Sequence, residues 1–420
     1  MKKRFFIQLT AVLVLLMSAN SLLAQQVTVP VNSAVPFLRI IPDARGSALG
    51  DVGIATSVDP NASFYNASKL AFSPRKFGIS LSYAPWLRSL GITDIYLAHF
   101  TGFYKFSKTD VVNLSMKFFS LGDITFTDFA GNEIGQGSPR ELALDAGYAR
   151  RLGKNFSLGV NFRYIYSNLA KGQSVGIEPI TAGHAFGADI STTFNKSFTM
   201  GKKDMKANIM TGVAITNIGT KIAYTKSSPE KDYIPTNFGS GIGFRIQPNK
   251  YHEIGIYGDI NKLLVPTPTG EDADSNRIPD YKEKSSFSGM FTSLFDAPGG
   301  FKEEMREWTL GVGAEYWYDH LFAVRAGYFV EAKDKGNRRF VATGVGVKYS
   351  VFGLDFSYLI PTSSQRNPLD NTFRFTLKFD FAKLGGNIDD GDLQDINPDA
   401  DTVDKSTRKK QKKGKASTEE

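Results

Sequence analysis

Between Phe156 and Tyr166 the even positions read Phe156, Leu158, Val160, Phe162, Tyr164 and Tyr166, while the odd ones include Ser157, Gly159, Asn161 and Arg163. A two-residue period puts every even side chain on one face of a β-strand. From Thr372 to Phe381 the same alternation sets Phe373, Phe375, Leu377, Phe379 and Phe381 against Thr372, Arg374, Thr376, Lys378 and Asp380. One greasy face and one charged face suit a soluble sandwich, and equally a wall between lipid and a polar lumen.

The connections separate the two. Fourteen such segments begin near Phe77, Ile92, Val111, Glu141, Phe156, Ala185, Asn208, Asn237, His252, Trp308, Leu321, Phe340, Gly353 and Thr372. Short links fall at residues 107–110, 152–155, 247–251, 318–320 and 350–352, with a somewhat longer one at 197–206. Long links fall at 84–91, 120–140, 167–183, 217–236, 262–307, 331–339 and 361–371. Strict alternation of short and long is the signature of an up-and-down membrane barrel with periplasmic turns and outside loops. The expectation is an all-β, 14-stranded antiparallel transmembrane β-barrel over residues 73–381. Its even strand number places both termini in the periplasm.

Composition agrees: 33 Phe, 17 Tyr and 40 Gly in 420 residues favour short strands and tight turns. Met1–Arg4 carry cations and lead into an apolar stretch from Phe5 to Met17, so residues 1–24 read as a signal peptide cleaved after Ala24. With no Cys, the exported chain carries neither a lipidated cysteine nor a disulfide. Beyond the signal, no apolar run reaches the roughly 18 to 20 residues of a spanning helix. Loss of Lys2, Lys3 and Arg4 with the signal lowers a net charge of +8, and no basic stripe with interleaved aromatics marks a nucleic-acid partner. Residues 382–420 gather seven Asp between Asp389 and Asp404, then seven Lys or Arg between Lys405 and Lys415. Such charge blocks stay disordered and solvated, here as a periplasmic tail.

Residues 25–72 lack alternation and are rich in Gly, Ala, Pro and Asn, which fits a compact plug, or hatch. Its densest stretch is Pro42-Asp43-Ala44-Arg45-Gly46-Ser47-Ala48-Leu49-Gly50-Asp51-Val52-Gly53-Ile54-Ala55, followed by Asp59-Pro60-Asn61-Ala62-Ser63-Phe64-Tyr65-Asn66-Ala67-Ser68. The glycines permit tight turns, and Arg45 can pair with Asp43, Asp51 or a lumen charge. Asp43, Arg45, Asp51, Asp59, Asn61 and Asn66 are the candidate hatch anchors; a part in ligand passage is the alternative.

This stretch resembles the hatch of FadL-like outer-membrane barrels. With Pro36-Phe37-Leu38-Arg39-Ile40, Ser82-Tyr83-Ala84-Pro85-Trp86-Leu87-Arg88 and Phe119-Ser120-Leu121-Gly122-Asp123-Ile124-Thr125-Phe126-Thr127-Asp128, the chain up to Phe381 is similar to the PorV family of the type IX secretion system. The resemblance implies an integral outer-membrane shuttle and no enzyme. Such a shuttle binds C-terminal signal domains of cargo at the outer face and carries them from the translocon barrel to the cell-surface sortase, or attachment, complex. The alternative is a FadL-like transporter of hydrophobic small molecules. FadL relatives carry Asn-Pro-Ala where this chain has Asn66-Ala67-Ser68, which weakens that transfer.

Binding is expected on the outside loops, above all 120–140 and 262–307. The longer loop holds Phe287, Phe291, Phe295 and Phe301 and runs to Trp308, aromatics that suit a lid over the mouth, a docking surface, or both at once. It also holds Asp272, Asp274, Asn276 and Asp280, whose spaced oxygens are of the kind calcium prefers. Arg277 stands where the sharp turn of a calcium loop wants Gly, so a plain acidic loop without cofactor is the other reading. His99, His184, His252 and His320 are scattered without a motif partner, which argues against a barrel-rim hydrolase.

Overall fold

The structure is a computed structural model describing residues 30–381, apart from 89–90, 129, 171–172, 176–177, 202–204, 226–229 and 364–370. The expected signal at 1–24, hatch residues 25–29 and the charged tail at 382–420 lie outside the described residues.

Fourteen strands close into one antiparallel barrel. They are β1 (Phe77–Pro85), β2 (Ile95–Lys105), β3 (Asp110–Leu121), β6 (Arg140–Arg151), β7 (Phe156–Asn168), β10 (Gly183–Met200), β11 (Met205–Gly219), β12 (Asn237–Asn249), β13 (His252–Leu263), β14 (Trp308–Tyr318), β15 (Phe322–Val330), β16 (Arg339–Tyr349), β17 (Phe352–Pro361) and β18 (Phe373–Phe381). Closure pairs β1 with β18, from Phe77↔Phe381 to Tyr83↔Phe375, and leaves no unpaired edge for lipid to meet. Two hairpins stand apart in outside loops: β4 (Ile124–Thr127) with β5 (Glu133–Gly137), and β8 (Ser174–Val175) with β9 (Glu178–Pro179). The alternation marked neither hairpin.

The faces divide as the two-residue period requires. On β18 the side chains of Phe373, Phe375 and Leu377 point out, while Arg374, Thr376 and Lys378 are buried inside. On β7, Phe162 is 69% exposed and its neighbours Asn161 and Arg163 are buried. A soluble sandwich would bury the opposite set. Outward Tyr83, Tyr358 and Phe373 near the long loops, and Tyr318, Tyr349 and Phe352 near the short turns, form the two interfacial aromatic girdles of such a wall.

Two expectations need correction. The link at 197–206 is no loop: β10 and β11 stay paired from Phe198↔Ala207 to Met200↔Met205, because a protruding ribbon needs no lipid-facing alternation to keep its ladder. Nor does the described N-terminal segment sit at the periplasmic end. The Ala34 amide donates to the Tyr233 carbonyl at 2.9 Å, and Val31 packs against Tyr233, Leu263 and Val265, all at the outside end. The even strand count fixes where β1 begins and β18 ends; it says nothing about a segment threaded through the lumen.

From that mouth the hatch descends. Val35, Phe37 and Leu38 pack with inward Ala84, Leu97, Phe119 and Ile165 near the outside end. Helix α1 (Ala44–Ala48) lies against β15–β18, capped by Asp43, which accepts from the Gly46 amide at 2.8 Å. Helix α2 (Ala62–Tyr65) and a 3-10 turn (Ala67–Phe72) then reach the periplasmic half, where Leu70 and Ala71 meet Phe103, Val111 and Ala149. Strand glycines let the hatch approach this closely. A Cβ on Gly327 would lie 2.1 Å from the Gly50 nitrogen, and Gly50 itself holds φ +77, where a side chain is strained.

Candidate functional site

Two hatch residues and four wall residues form a closed ring of alternating charge. Arg45 pairs with Asp59 at 3.1 Å and with Glu315 of β14 at 2.8 Å. Glu315 also receives Arg325 of β15 at 2.6 Å, and Arg325 reaches Asp355 of β17 at 2.8 Å. Lys378 of β18 sits 2.5 Å from Asp355 and 3.8 Å from Asp59, which completes the circuit. Three cations answer three carboxylates, so the buried ring is neutral, as charges taken out of water must be. A second cluster on the opposite wall holds Arg163 between Asp145 at 2.6 Å and Asp189 at 3.0 Å.

The expected hatch residues have different parts. Arg45 takes Asp59 and a wall glutamate rather than Asp43 or Asp51. Asp43 caps α1 and accepts the Tyr65 hydroxyl at 2.6 Å. Asn66 donates to Thr193 of β10 at 2.9 Å and to the Thr192 carbonyl, so it ties the hatch to the wall. Asn61 is buried, yet its side-chain amide has no hydrogen-bond partner, and one oxygen of Asp51 is likewise unpartnered. Glu315, Arg325 and Asp355 escaped sequence reading, and Lys378 was read only as one charge on the polar face of its strand, although each is a charged residue at an inward position of an alternating strand.

Little of the lumen stays empty. A cavity of about 100 Å3 lies toward the outside end, lined by Arg39, Asp51, Asp259 and Arg338 among others. The strand ladders around the barrel run without a gap; their register slips only between Ala188 and Ile190 of β10 and between Ile246 and Asn249 of β12, among the described residues.

Over the mouth, the long outside loop folds into α3 (Asp280–Glu283), α4 (Ser286–Thr292), α5 (Phe301–Glu304) and a 3-10 turn (Met305–Glu307). Ion pairs fasten it. Lys262 binds Glu304 and Glu307, and Lys335 from the neighbouring loop binds Glu303 at 2.6 Å and Glu307 at 3.0 Å. Lys282 reaches Asp232 at 2.8 Å, and the Tyr233 hydroxyl donates to the Tyr281 carbonyl at 2.7 Å. Burial works to raise the Glu303 carboxyl, but Lys335 outweighs it and holds the group below its ordinary value. Burial likewise opposes the charge on Lys282, which Asp232 and Glu230 nevertheless raise.

The same fold turns aromatics outward. Phe287, Phe291, Phe295 and Phe301 are 65, 54, 85 and 76% exposed, while Met290 faces in. Phe287 and Phe291 meet edge to face at 5.0 Å. Trp308 does not join them: it opens β14 on the outer wall, packed against Phe238 at 5.8 Å, because the strand's alternation already includes it.

In the acidic turn, oxygens of Asp272, Asp274 and Asp280 lie within 4.8 Å of one another. Asn276 does not offer its oxygen freely, since it accepts the Ile278 amide at 2.7 Å. Backbone amides of Ala273, Asn276 and Arg277 donate to the carboxylates, and Arg277 adopts φ 68 in the place of a glycine. The oxygens suit a hard cation, and the amides by themselves suit an acidic turn. Three histidines have neutral partners: His184 meets the Tyr164 hydroxyl at 2.7 Å, His252 the Tyr316 hydroxyl at 2.6 Å and His320 Gln247 at 3.3 Å. His99 is buried with one ring nitrogen unpartnered.

Closed ladders, lipid-facing aromatics and a charge-tied hatch define the chain as an integral outer-membrane β-barrel. Its residues 23–270 match the family described as type IX secretion system protein PorV, and the chain belongs to that family. It is thus an outer-membrane protein of type IX secretion. The match ends well before Phe381, the limit expected from the resemblance, so Glu315 and the other wall residues of the ring lie beyond it. Among curated proteins none matches. Solved structures that it resembles are the Ralstonia pickettii toluene transporter TbuX, at 11% identity over 83% of this chain and 99% of that one with a TM-score of 0.43; the P. putida toluene transporter TodX, at 8% over 83% and 100% with 0.45; and a Pseudomonas aeruginosa FadL homologue, at 11% over 84% and 100% with 0.41.

Proposed function

We propose that this barrel is a cargo shuttle, which takes C-terminal signal domains at its outer face and passes them from the translocon to the surface attachment complex. One observation carries the reading: a loop clamped down by buried ion pairs presents four phenylalanines to the outside. A loop that served only as a lid would turn them inward. Burying each phenylalanine against a partner contributes about 1.5–3 kcal/mol, and the fixed loop backbone limits the ordering cost of docking. The hatch residues Asp43, Arg45, Asp59 and Asn66 serve to hold the plug, and bond chemistry is not part of the role.

Passage of hydrophobic small molecules finds less support. The hatch leaves a cavity of only about 100 Å3, in which charged Asp51 and Asp259 share the lining with Leu38, Ile54 and Phe329, and beside it the β10–β11 ladder slips register at Ala188/Ile190 and then resumes. The test is affinity capture from native membranes of the intact barrel and of a variant with Phe287, Phe291, Phe295 and Phe301 all changed to Ser. Translocon, attachment complex and cargo signal domains are expected with the intact protein and strongly reduced with the variant, at equal barrel yield. Equal recovery would refute the loop assignment, and no secretion partner on either protein would refute the shuttle.

A further inference from the structure

The periplasmic rim carries charge that its own residues leave unbalanced. Along the arc from β18 through β1, β2, β3 and β6 to β7, the strand ends and turns present Lys76, Lys105, Lys108, Arg150, Arg151 and Lys154. The carboxylates of that arc, among the described residues, are Asp110 and Asp380, and both are taken: Asp110 lies 3.6 Å from Arg150 and Asp380 lies 3.5 Å from Lys348. Lys76, Lys108, Arg150 and Lys154 are exposed. Lys105 and Arg151 stand at inward positions of β2 and β6, at the edge of the mouth. There Lys105 donates to the Ala71 and Ser73 carbonyls of the hatch at 3.1 and 2.9 Å, and Arg151 sits 5.9 Å from the Phe72 ring. Neither has an ion pair among the described residues, and Arg151 acts against the charge on Lys105.

The chain leaves the barrel at this same arc. The Lys76 amide donates to the Phe381 carbonyl at 3.1 Å, and the Phe77 and Phe381 rings stack at 5.7 Å. Asp389 stands eight positions further on and opens a stretch that holds seven Asp, and no Lys or Arg, up to Asp404. Eight residues span at most roughly 26–29 Å. The five strand spacings from β18 to β7 come to about 24 Å, so the acidic stretch can reach the whole arc. Lipid headgroups fit the arc less well, because they surround the barrel. Arg150, which faces them, is held by Asp110, whereas Lys105 and Arg151 face the mouth.

We propose that residues 389–404 of this chain dock along that arc of the periplasmic rim, with their carboxylates against Lys105, Lys108, Arg151 and Lys154. Each exposed pair contributes little, and the contact rests on their number, which makes it sensitive to salt. The cations from Lys405 to Lys415 are repelled by the same arc, which sets the direction in which the chain departs. The contact is independent of the shuttle reading.

Because the chain has no cysteine, two introduced thiols report the contact. Gly153→Cys lies in the turn between β6 and β7, where an added Cβ meets nothing within 4 Å, and Ile396→Cys lies inside the acidic stretch. In dilute full-length barrel in detergent, a short bis-maleimide should join the two within one molecule, about fivefold or more faster at low salt than in 1 M NaCl, where the screening length is about 3 Å. Changing all seven Asp to Asn leaves the barrel sequence intact and should bring the rate down to the high-salt value. A second rim position across the mouth, Pro248→Cys at the end of β12, should react with Ile396→Cys several-fold more slowly than Gly153→Cys does. Equal rates at the two rim positions, or a rate indifferent to salt and to the Asn changes, would overturn the docking. Cross-linked dimers in place of the intramolecular product would overturn it in favour of a second copy's tail. Loss of the product in phosphatidylglycerol vesicles, with retention in phosphatidylcholine vesicles, would overturn it in favour of anionic headgroups.

Discussion

Arg45 concentrates the chemistry of the hatch in one side chain. It lies 270 positions from Glu315 in sequence, and its guanidinium closes the charge ring onto the wall. Removing one member of a buried network leaves another uncompensated, at a cost of about 3–5 kcal/mol. Arg45→Gln should therefore expose the hatch to added protease at a lower urea concentration than in the unaltered barrel, and Glu315→Gln should do the same. Because the two act on one interaction, the double variant should lose clearly less than the summed losses; additive effects would show that the ring is not a unit. The hatch end of this ring was legible, since an arginine in a glycine-rich plug needs a counter-charge. Its partner was not, because alternation tells which side of a strand faces in but not which of fourteen strands curls past Arg45. Local pairing with Asp43 or Asp51 looked equally good until the cap of α1 claimed Asp43.

The outside loop combines two properties that its sequence left open. Its acidic and basic residues hold the backbone down, and its phenylalanines point away. Glu303 has a depressed carboxyl, so its contribution is complete above the unfolded value of 4.5 and fades as pH falls through the lower folded value. Limited proteolysis of the loop should accelerate on acidification below 4.5 and stay constant from there to neutrality; an unchanged rate in acid would remove Glu303 and Lys335 from the clamp. Chelation with EGTA should leave the cleavage pattern as it was, because backbone amides already hold the acidic turn at Asp272. A loop that loosens on chelation would instead establish calcium there. The strands themselves were the most legible elements, since their facing is a local property. Trp308 was misplaced for the same reason loop ends are hard to see: one aromatic can end a loop or begin a lipid-facing strand.

At the scale of the molecule, the barrel is a wall turned inside out relative to a soluble protein. Phe162, outward at the middle of β7, should tolerate Leu but not Arg, which costs about 2–4 kcal/mol at mid-bilayer and should lower the yield of folded barrel. The path of the hatch predicts something less expected from the strand count. On intact cells an impermeant maleimide should label Asn32→Cys at the outside mouth and spare Lys154→Cys in a periplasmic turn, in a chain with no cysteine of its own. The reverse pattern would invert the orientation derived from loop lengths.

That threading constrains biogenesis. A segment running from one rim to the other and roped to seven different staves cannot be inserted after the cylinder is sealed. The meeting of Leu81 with Leu377 at the β1–β18 seam must therefore be the final zip, made around a core already in place. Cysteines at those two sites should cross-link late in assembly, and only in molecules whose N-terminal segment already resists protease.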